Sequence, residues 1–274
     1  MDDNRKVYIT KDMDDFLWQQ IKELPYFRGL LRAVEARAYQ DIPLAGPILD
    51  LGCGDGHFAS KAFEIPLDVG IDPWIGPIKL ARKQGSYKTV IRGFGDQLPF
   101  PDAYFGCVIS NSVLEHIQDL DSVICEIARV IKPDAQFIFC VPNHNFLLNL
   151  SVSNSLEKIG LRKLADLYRK FFNRISRHHH CDSPEIWKNR LEKAGFTIDR
   201  QWHYFSPNAT AALEWGHYFG LPSLVSHFLF RRWIIVPKRW NLSLINDYLT
   251  KFYRENPIQK EGSYSFYIAH KKKI

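Results

Sequence analysis

A chain of 274 residues, 46% apolar and 14% aromatic, can fill one large core, or one catalytic domain carrying a sizeable insertion, and leaves little room for two independent domains. The formal charge of +6 is moderate and spread along the chain, and short basic runs such as Arg231-Arg232 or Lys271-Lys272-Lys273 read first as solvated faces, so charge names no partner. Five scattered cysteines (53, 107, 125, 140 and 181) without a C-x-x-C pair exclude a disulfide framework or zinc ribbon; an acidic N-terminus without an apolar leader and no bilayer-length apolar run point to a cytoplasmic protein, at most peripheral to a membrane.

The first predicted element is a helix over roughly Asp14 to Arg37, closed by the turn Pro43-Leu44-Ala45-Gly46. Short apolar runs then alternate with helical patterns. Strands are expected near Pro47–Leu51, Leu67–Asp72, Lys88–Arg92, Phe105–Ser110 and Gln136–Val141, with lengths and two-sided apolarity that suit a buried parallel sheet. Helices are expected at Ile78–Gln84 and Leu120–Ile131, the second ended by Lys132-Pro133. Right-handed crossovers then make a doubly wound α/β sheet whose ligand crevice lies beyond the strand C-termini.

Further along, Ser183-Pro184-Glu185 is placed to cap a helix running to Ala194 and ended by Gly195, followed by a strand over Thr197–Phe205 and a last strand over Tyr264–His270. The segments 144–182 and 206–262 exceed ordinary loop lengths and are rich in helical and aromatic residues, so they read as cap insertions over the crevice. The expected organisation is one domain over 1–274, with a cofactor core at 43–143 and these two insertions.

The chemistry-bearing residues cluster at strand ends. Ile48-Leu49-Asp50-Leu51-Gly52-Cys53-Gly54-Asp55-Gly56 ends a strand in a glycine turn where missing Cβ atoms let backbone approach a ligand. A dinucleotide fingerprint would need glycine at 57, where His57 stands, and no phosphate-loop pattern occurs. Asp50 would repel a pyrophosphate and attract an ammonium. Asp72, 22 residues later at the next strand end, suits a clamp on both ribose hydroxyls, and Asp96 after the third strand could meet an adenine amino group. Three carboxylates at three strand ends describe a cationic adenosine ligand better than a phosphorylated one.

From Ile48 to Asn143 the chain resembles the core of the class I S-adenosylmethionine-dependent methyltransferases, in particular the small-molecule branch with a Leu-Glu-His signature, which stands here as Leu114-Glu115-His116 in Phe105–Ile117. The resemblance covers about a third of the chain. It implies a Rossmann-like sheet of seven strands with the last pair antiparallel, S-adenosylmethionine as cofactor, and a small-molecule acceptor. It also implies that Asp50, Gly52, Cys53 and Gly54 surround the methionine part, that Asp72 with Pro73 holds the ribose, that Asp96 and Gln97 border adenine, and that Asn111 completes the pocket. One departure is Lys132-Pro133-Asp134-Ala135, where the family carries Lys-Pro-Gly-Gly; Asp tolerates a left-handed conformation and Ala does so poorly.

Methyl transfer is a direct displacement at a sulfonium, so the protein mainly supplies alignment and exclusion of water. A hydroxyl or acidic-carbon acceptor benefits from a general base, and His178 and His180 in His178-His179-His180-Cys181 are the catalytic candidates, sharing a face if that stretch is extended. In the resembling family a histidine is common at the position of His178. No metal is expected, because adjacent histidines seldom converge on one ion; His116 and His217 read as pocket-shaping residues.

Leu221–Ile235 interleaves apolar bulk with cations and reads either as a packed cap helix or as an interfacial segment that meets an anionic membrane surface and admits a lipophilic acceptor. The expected activity is methyl transfer to a small molecule, with O-methylation favoured over C or N. The alternatives are an RNA methyltransferase, disfavoured since no separate RNA-binding motif occurs and no nucleic-acid partner is expected, a non-catalytic S-adenosylmethionine-binding protein, and an NAD oxidoreductase, against which Asp50 and the missing glycine argue.

Overall fold

The computed structural model describes residues 6–7, 13–40 and 42–273. Its main sheet has seven strands: β1 (Ile48–Leu51), β2 (Leu67–Asp72), β3 (Tyr87–Arg92), β4 (Phe105–Asn111), β5 (Ile131–Pro142), β6 (Phe196–Tyr204) and β7 (Tyr264–Lys271). They lie in the order β3-β2-β1-β4-β5-β7-β6, with β1 to β5 parallel and β7 antiparallel to both neighbours. β1 and β4 are buried along their whole length, as apolar strands covered on both faces must be. Sheet order reverses between them, and that switch point opens the crevice.

The helices are α1 (Met13–Ile21), α2 (Tyr26–Ala38), α3 (His57–Ala62), α4 (Ile75–Gln84), α5 (Leu120–Val130), α6 (Ser151–Lys158), α7 (Arg162–Ser176), α8 (Pro184–Lys193), α9 (Pro207–Phe219), α10 (Leu221–Phe230) and α11 (Arg239–Tyr253). The period-2 alternation of β1 divides them into two layers. Leu49 and Leu51 pack with Val108, Phe137 and Phe139 under α5 and α8, whose Ile124, Ile127, Trp187 and Leu191 are fully buried. Ile48 faces the other way, with Cys107 and Ile109, into a core closed by α1 to α4, α9 and α11. The two long segments are helical, as expected: α6 and α7 fill the first, α9 to α11 the second. Buried Glu214 of α9 ties them together, its carboxylate accepting from the Ser151 and Val152 amides at the N-terminus of α6 (2.6 and 3.2 Å) and from the Tyr168 hydroxyl of α7 (2.7 Å).

Several boundaries move for local reasons. The single N-terminal helix is two, because Pro25 cannot continue a helix and instead starts α2. The strand expected at Gln136 begins at Ile131: Phe105 pairs with Ile131 and Cys107 with Gln136, so Lys132–Ala135 forms a bulge inside β5. Its left-handed residue is Asp134 (φ 58°), which leaves Ala135 outside the region it tolerates poorly. β6 stops at Tyr204 because Phe205 is left-handed (φ 63°). Ser183 precedes α8 but makes no side-chain cap to its backbone; its hydroxyl instead bonds the Glu185 side chain.

Gly106 lets the segment before β1 cross β4 closely: a Cβ there would stand 2.6 Å from the Gly46 carbonyl oxygen and 2.8 Å from that of Ala45. Backbone cannot step aside as a side chain does. Gly106→Ala should therefore lose about 1–3 kcal/mol of stability by the overpacking rule, read as a lower urea midpoint at unchanged slope; an unchanged midpoint would mean the crossing segment is free to shift.

Candidate active site

Two clefts open along the C-terminal edge of the sheet. The first, of about 410 Å³, lies over the ends of β1 and β2 and the loop after β3, and is lined by Gly52, Asp72, Pro73, Gly95 and Asp96 with apolar walls from Leu51, Ile71, Phe94, Val113 and Ile117. The second, of about 260 Å³, is lined by Arg28, Arg32, Ser112, Glu115, Phe146, Ser176, His178, Leu213, His217 and Tyr264. His116 lines both. Both volumes are of the order expected for small-ligand sites. A depression between α5 and α8 is lined by Asp121 and Arg190, which pair with each other at 2.6 Å, and it carries none of the strand-end groups.

The first cleft is built by the glycine turn. Gly52 is left-handed (φ 79°), and a Cβ on it would stand 2.4 Å from Val113, so only glycine lets the turn pack beside β4. Gly54 (φ 55°) faces open space, the condition for a ligand to approach the backbone. Its amide donates to Asp72 Oδ2 (3.1 Å) while the Trp74 amide donates to Oδ1 (2.9 Å), and these two bonds fix the carboxylate at the mouth of β2. Each oxygen keeps acceptor capacity for a pair of hydroxyls. Burial raises Asp72, against the effect of the two amides.

Of the nine residues expected at the cofactor, Gly52, Asp72, Pro73 and Asp96 line this cleft and Gly54 orients Asp72. Gln97 is exposed outside the lining. Asp50, Cys53 and Asn111 are buried behind the turn. Asp50 Oδ2 accepts from the Tyr87 hydroxyl at 2.6 Å, and burial pushes its carboxyl up to about 6 even though Tyr87 and Arg32 act the other way. The apolar walls, the three carboxylates of Asp72, Asp96 and Asp119 and the uncovered backbone of Gly54 fit an adenosine bearing a positive charge.

The second cleft depends on residues that the sequence reading did not single out. Arg28 and Arg32, one turn apart on α2, face it. Arg32 Nη1 donates to Glu35 Oε2 (2.8 Å) and to the Asn111 carbonyl (3.2 Å). Glu35, fully buried, also accepts from Ser112 Oγ (2.5 Å), Asn111 Nδ2 (3.4 Å) and the Tyr204 hydroxyl (3.3 Å). Their i,i+3 and i,i+4 spacing on a helix was the available signal.

Glu115, the middle residue of Leu114-Glu115-His116, has Oε2 buried without a hydrogen-bond partner among the described residues and Oε1 3.8 Å from His116 Nε2, and burial pushes its carboxyl up to about 8. The amides of His179 and His180 donate to its backbone carbonyl (2.7 and 3.2 Å). His178 sits between Phe146 and His116, ring centroids 5.0 and 5.4 Å away, and burial pushes it down to about 3. His178 and His180 do not share a face: the left-handed Arg177 (φ 57°) begins a turn that sends His178 to the cleft and His180 to Asp182, 3.4 Å away. Glu115, His116 and His178 place donor atoms within 4.8 Å of one another.

Residues 49–139 match the family described as methyltransferase domain. The demethylmenaquinone methyltransferase of Streptomyces avermitilis is 30% identical over 122 residues, covering 43% of this chain and 48% of that protein. A ubiquinone/menaquinone biosynthesis C-methyltransferase of Vibrio cholerae is 29% identical over 197 residues, covering 63% and 71%. The first alignment thus spans about half of its relative's length. Among solved structures, geranyl diphosphate C-methyltransferase of Streptomyces coelicolor, in complex with Mg2+, geranyl diphosphate and S-adenosyl-L-homocysteine, superposes with a TM-score of 0.54 at 13% identity, covering 90% of this chain and 84% of that one, which shows a shared fold.

Two measurements probe the clefts separately. Asp72→Ala should weaken S-adenosylhomocysteine binding in calorimetry by ~1–3 kcal/mol, the usual value of charge-assisted hydrogen bonds; equal affinity in a folded variant would remove Asp72 from the site. Glu115 titrates higher folded than unfolded, so between the ordinary glutamate range and about 8 the folded protein holds a proton the unfolded chain has released. Its contribution to stability is therefore present at low pH and lost as pH rises through that window. Glu115→Gln should flatten the fall in melting temperature from mildly acidic to mildly alkaline pH, and parallel curves for the two proteins would contradict the assignment.

Proposed function

From the premise that this chain carries a class I S-adenosylmethionine-dependent methyltransferase domain and is an enzyme of that class, we propose that it methylates a hydroxyl-bearing lipophilic small molecule held in the second cleft. The observation that carries the reading is Glu115: a buried carboxylate whose Oε2 has no hydrogen-bond partner among the described residues, in a cleft walled by Phe146, Leu213 and Tyr264 that shares His116 with the cofactor cleft. A base whose proton affinity lies near working pH is well matched to removing a hydroxyl proton.

Bound across the first cleft, S-adenosylmethionine supplies the methyl group on a sulfonium. This chain's residues do the rest. Asp72 and Asp96 hold the adenosine, Asp50 supports the turn from behind through its bond with Tyr87, and Arg28 and Arg32 offer positive charge where a carboxylate would lie. Glu115 takes the acceptor's proton, and His178, neutral and flanked by aromatics, contacts and orients the acceptor. His180 acts through the backbone, its amide helping His179 hold Glu115 in place. The aromatic walls exclude water, which strengthens every charge interaction inside.

Loss of a hydroxyl proton activates the oxygen, and in an aromatic ring it activates the neighbouring carbon too. We favour oxygen as the methylated atom; carbon is the second outcome, in keeping with the two quinone-pathway relatives. Methyl-labelled S-adenosylmethionine incubated with host extract, followed by solvent partition and NMR of the product, separates them. Label in the organic phase supports a lipophilic acceptor, label only in water-soluble metabolites refutes it, and label in RNA supports a nucleic-acid methyltransferase instead.

Glu115→Gln should lower kcat by about 10²–10⁴-fold, the usual contribution of a general base, while leaving S-adenosylhomocysteine affinity unchanged. The wild-type rate should rise with pH to a plateau above about 8, since the base must be ionised. His178→Ala should lower turnover without moving that pH profile. A pH-independent rate, or loss of cofactor binding in either folded variant, would overturn the assignment of roles.

A further inference from the structure

The net charge of the chain is not spread in space or sequence as its composition suggests. Segments 144–182 and 206–262 hold 14 of the 36 Lys and Arg and only 7 of the 30 Asp and Glu, a formal +7, which leaves −1 for the rest of the chain. Between Glu214 and Asp247 there is no acidic residue, while Arg231, Arg232, Lys238 and Arg239 fall inside that interval.

The same interval contains an apolar helix face that no other described residue covers. Leu221, Leu224, Val225, Phe228 and Leu229 recur at i, i+3, i+4, i+7 and i+8, the spacing of a stripe that ordinarily packs into a core. On α10 each of the five is more than half exposed, Phe228 at 75%, and no residue of the helix is buried. The helix is nonetheless well terminated, by Pro222 in its first turn and the left-handed Arg231 at its end. Trp233 does not join the stripe; it is half-buried, stacked on His227 at 4.1 Å. Trp240, at the start of α11, is 76% exposed.

A second stripe lies on α7. Leu164, Leu167, Phe171 and Ile175 are exposed along one side, with Lys163, Lys170 and Arg174 beside them on the helix, while Ala165 and Phe172 face the core. Both helices adjoin the second cleft: α7 ends at Ser176 in its lining, and α10 continues α9, whose Leu213 and His217 line it. Exposed apolar surface of this extent marks an interaction site.

We propose that α10 with its following turn, together with the outer stripe of α7, docks the protein on an anionic phospholipid surface. Apolar anchors flanked by cations, with no acid on α10 or its following turn and the one acid of α7, Asp166, paired with Arg169 at 3.3 Å, match that surface in both solubility and charge. A second copy of this chain is a poorer match, since the cap would meet its own positive charge. Docking stands without the methyl-transfer reading; what rests on that reading is its consequence, that a lipophilic acceptor reaches the second cleft directly from the bilayer.

Co-sedimentation of the full chain, without cofactor or acceptor, tests the docking alone. With vesicles of equal parts phosphatidylcholine and phosphatidylglycerol the protein should pellet, with phosphatidylcholine alone it should stay largely in solution. Binding should fall as salt is raised from roughly 0.1 M to roughly 1 M, which shortens screening from about 10 Å to about 3 Å. Arg231→Gln/Arg232→Gln should weaken binding about thirtyfold, at about fivefold per cation, and Phe228→Ser/Leu229→Ser should weaken it with the melting temperature unchanged, as both positions are exposed. Protein that stays in the supernatant with anionic vesicles at low salt, binding that ignores salt and the arginine changes, or a dimer in sedimentation velocity that Phe228→Ser/Leu229→Ser dissociates while vesicles leave it unbound, would each overturn the proposal.

Discussion

The carboxylate of Glu35 reaches the end of β4 from a helix 76 residues earlier in the chain, and the geometry of the second cleft depends on that contact. It gathers Arg32 from its own helix, Asn111 and Ser112 from the end of β4, and Tyr204 from the end of β6. A fully buried charge with this many donors is satisfied; losing one partner from such a set costs about 3–5 kcal/mol, because the remaining charge stays out of water. α2 is thereby pinned across the switch point of the sheet, where it forms one wall of the second cleft. Tyr39, just beyond α2, adds a bond to Asn111 Oδ1 (2.6 Å) and shuts the layer behind it.

That clamp explains why two carboxylates close in sequence to the cofactor turn behave differently. Asp72 lies at the open mouth of β2, held by two backbone amides, and can spend its remaining lone pairs on a ligand. Asp50 points to the opposite layer, among Tyr39 and Tyr87, where burial raises its carboxyl against the Tyr87 hydroxyl it accepts from. Glu115 stands further still in that direction, with no donor at Oε2. Burial is the largest influence on all three carboxyls, and it raises each of them.

How much of this could be read beforehand follows from sequence distance. The glycine turn, Asp72 and Asp96 belong to strand ends whose pattern is local, and period-2 apolarity with glycine punctuation locates them. Alternation on β1 also implied that Asp50 and Leu51 face opposite ways, although the turn's proximity to the ligand drew attention first. Arg28, Arg32 and Glu35 were hidden because their partners lie far along the chain, and on the helix they look like a solvated face. Glu115 was visible as a letter in a signature, but its burial comes from β7 and the turn at 177–180, which no local pattern places against it. His178 and His180 were separated by one left-handed residue, Arg177, a conformation that nothing in Ser-Arg-His-His-His announces.

Segregation of charge follows from what the two halves of the molecule must attract. The sheet gathers acids at its C-terminal edge, with Asp50, Asp72 and Asp96 on successive strands or loops. The insertions carry the opposite sign, and their apolar stripes lie exposed where cations surround them. A single evenly charged surface could not do both, since cations beside the ribose clamp would repel the cofactor and acids beside α10 would repel an anionic surface. The insertions follow β5 and β6, so the first cleft is built over the ends of β1 and β2 and the loop after β3, while residues of α7 and α9 line the second, and His116 lines both.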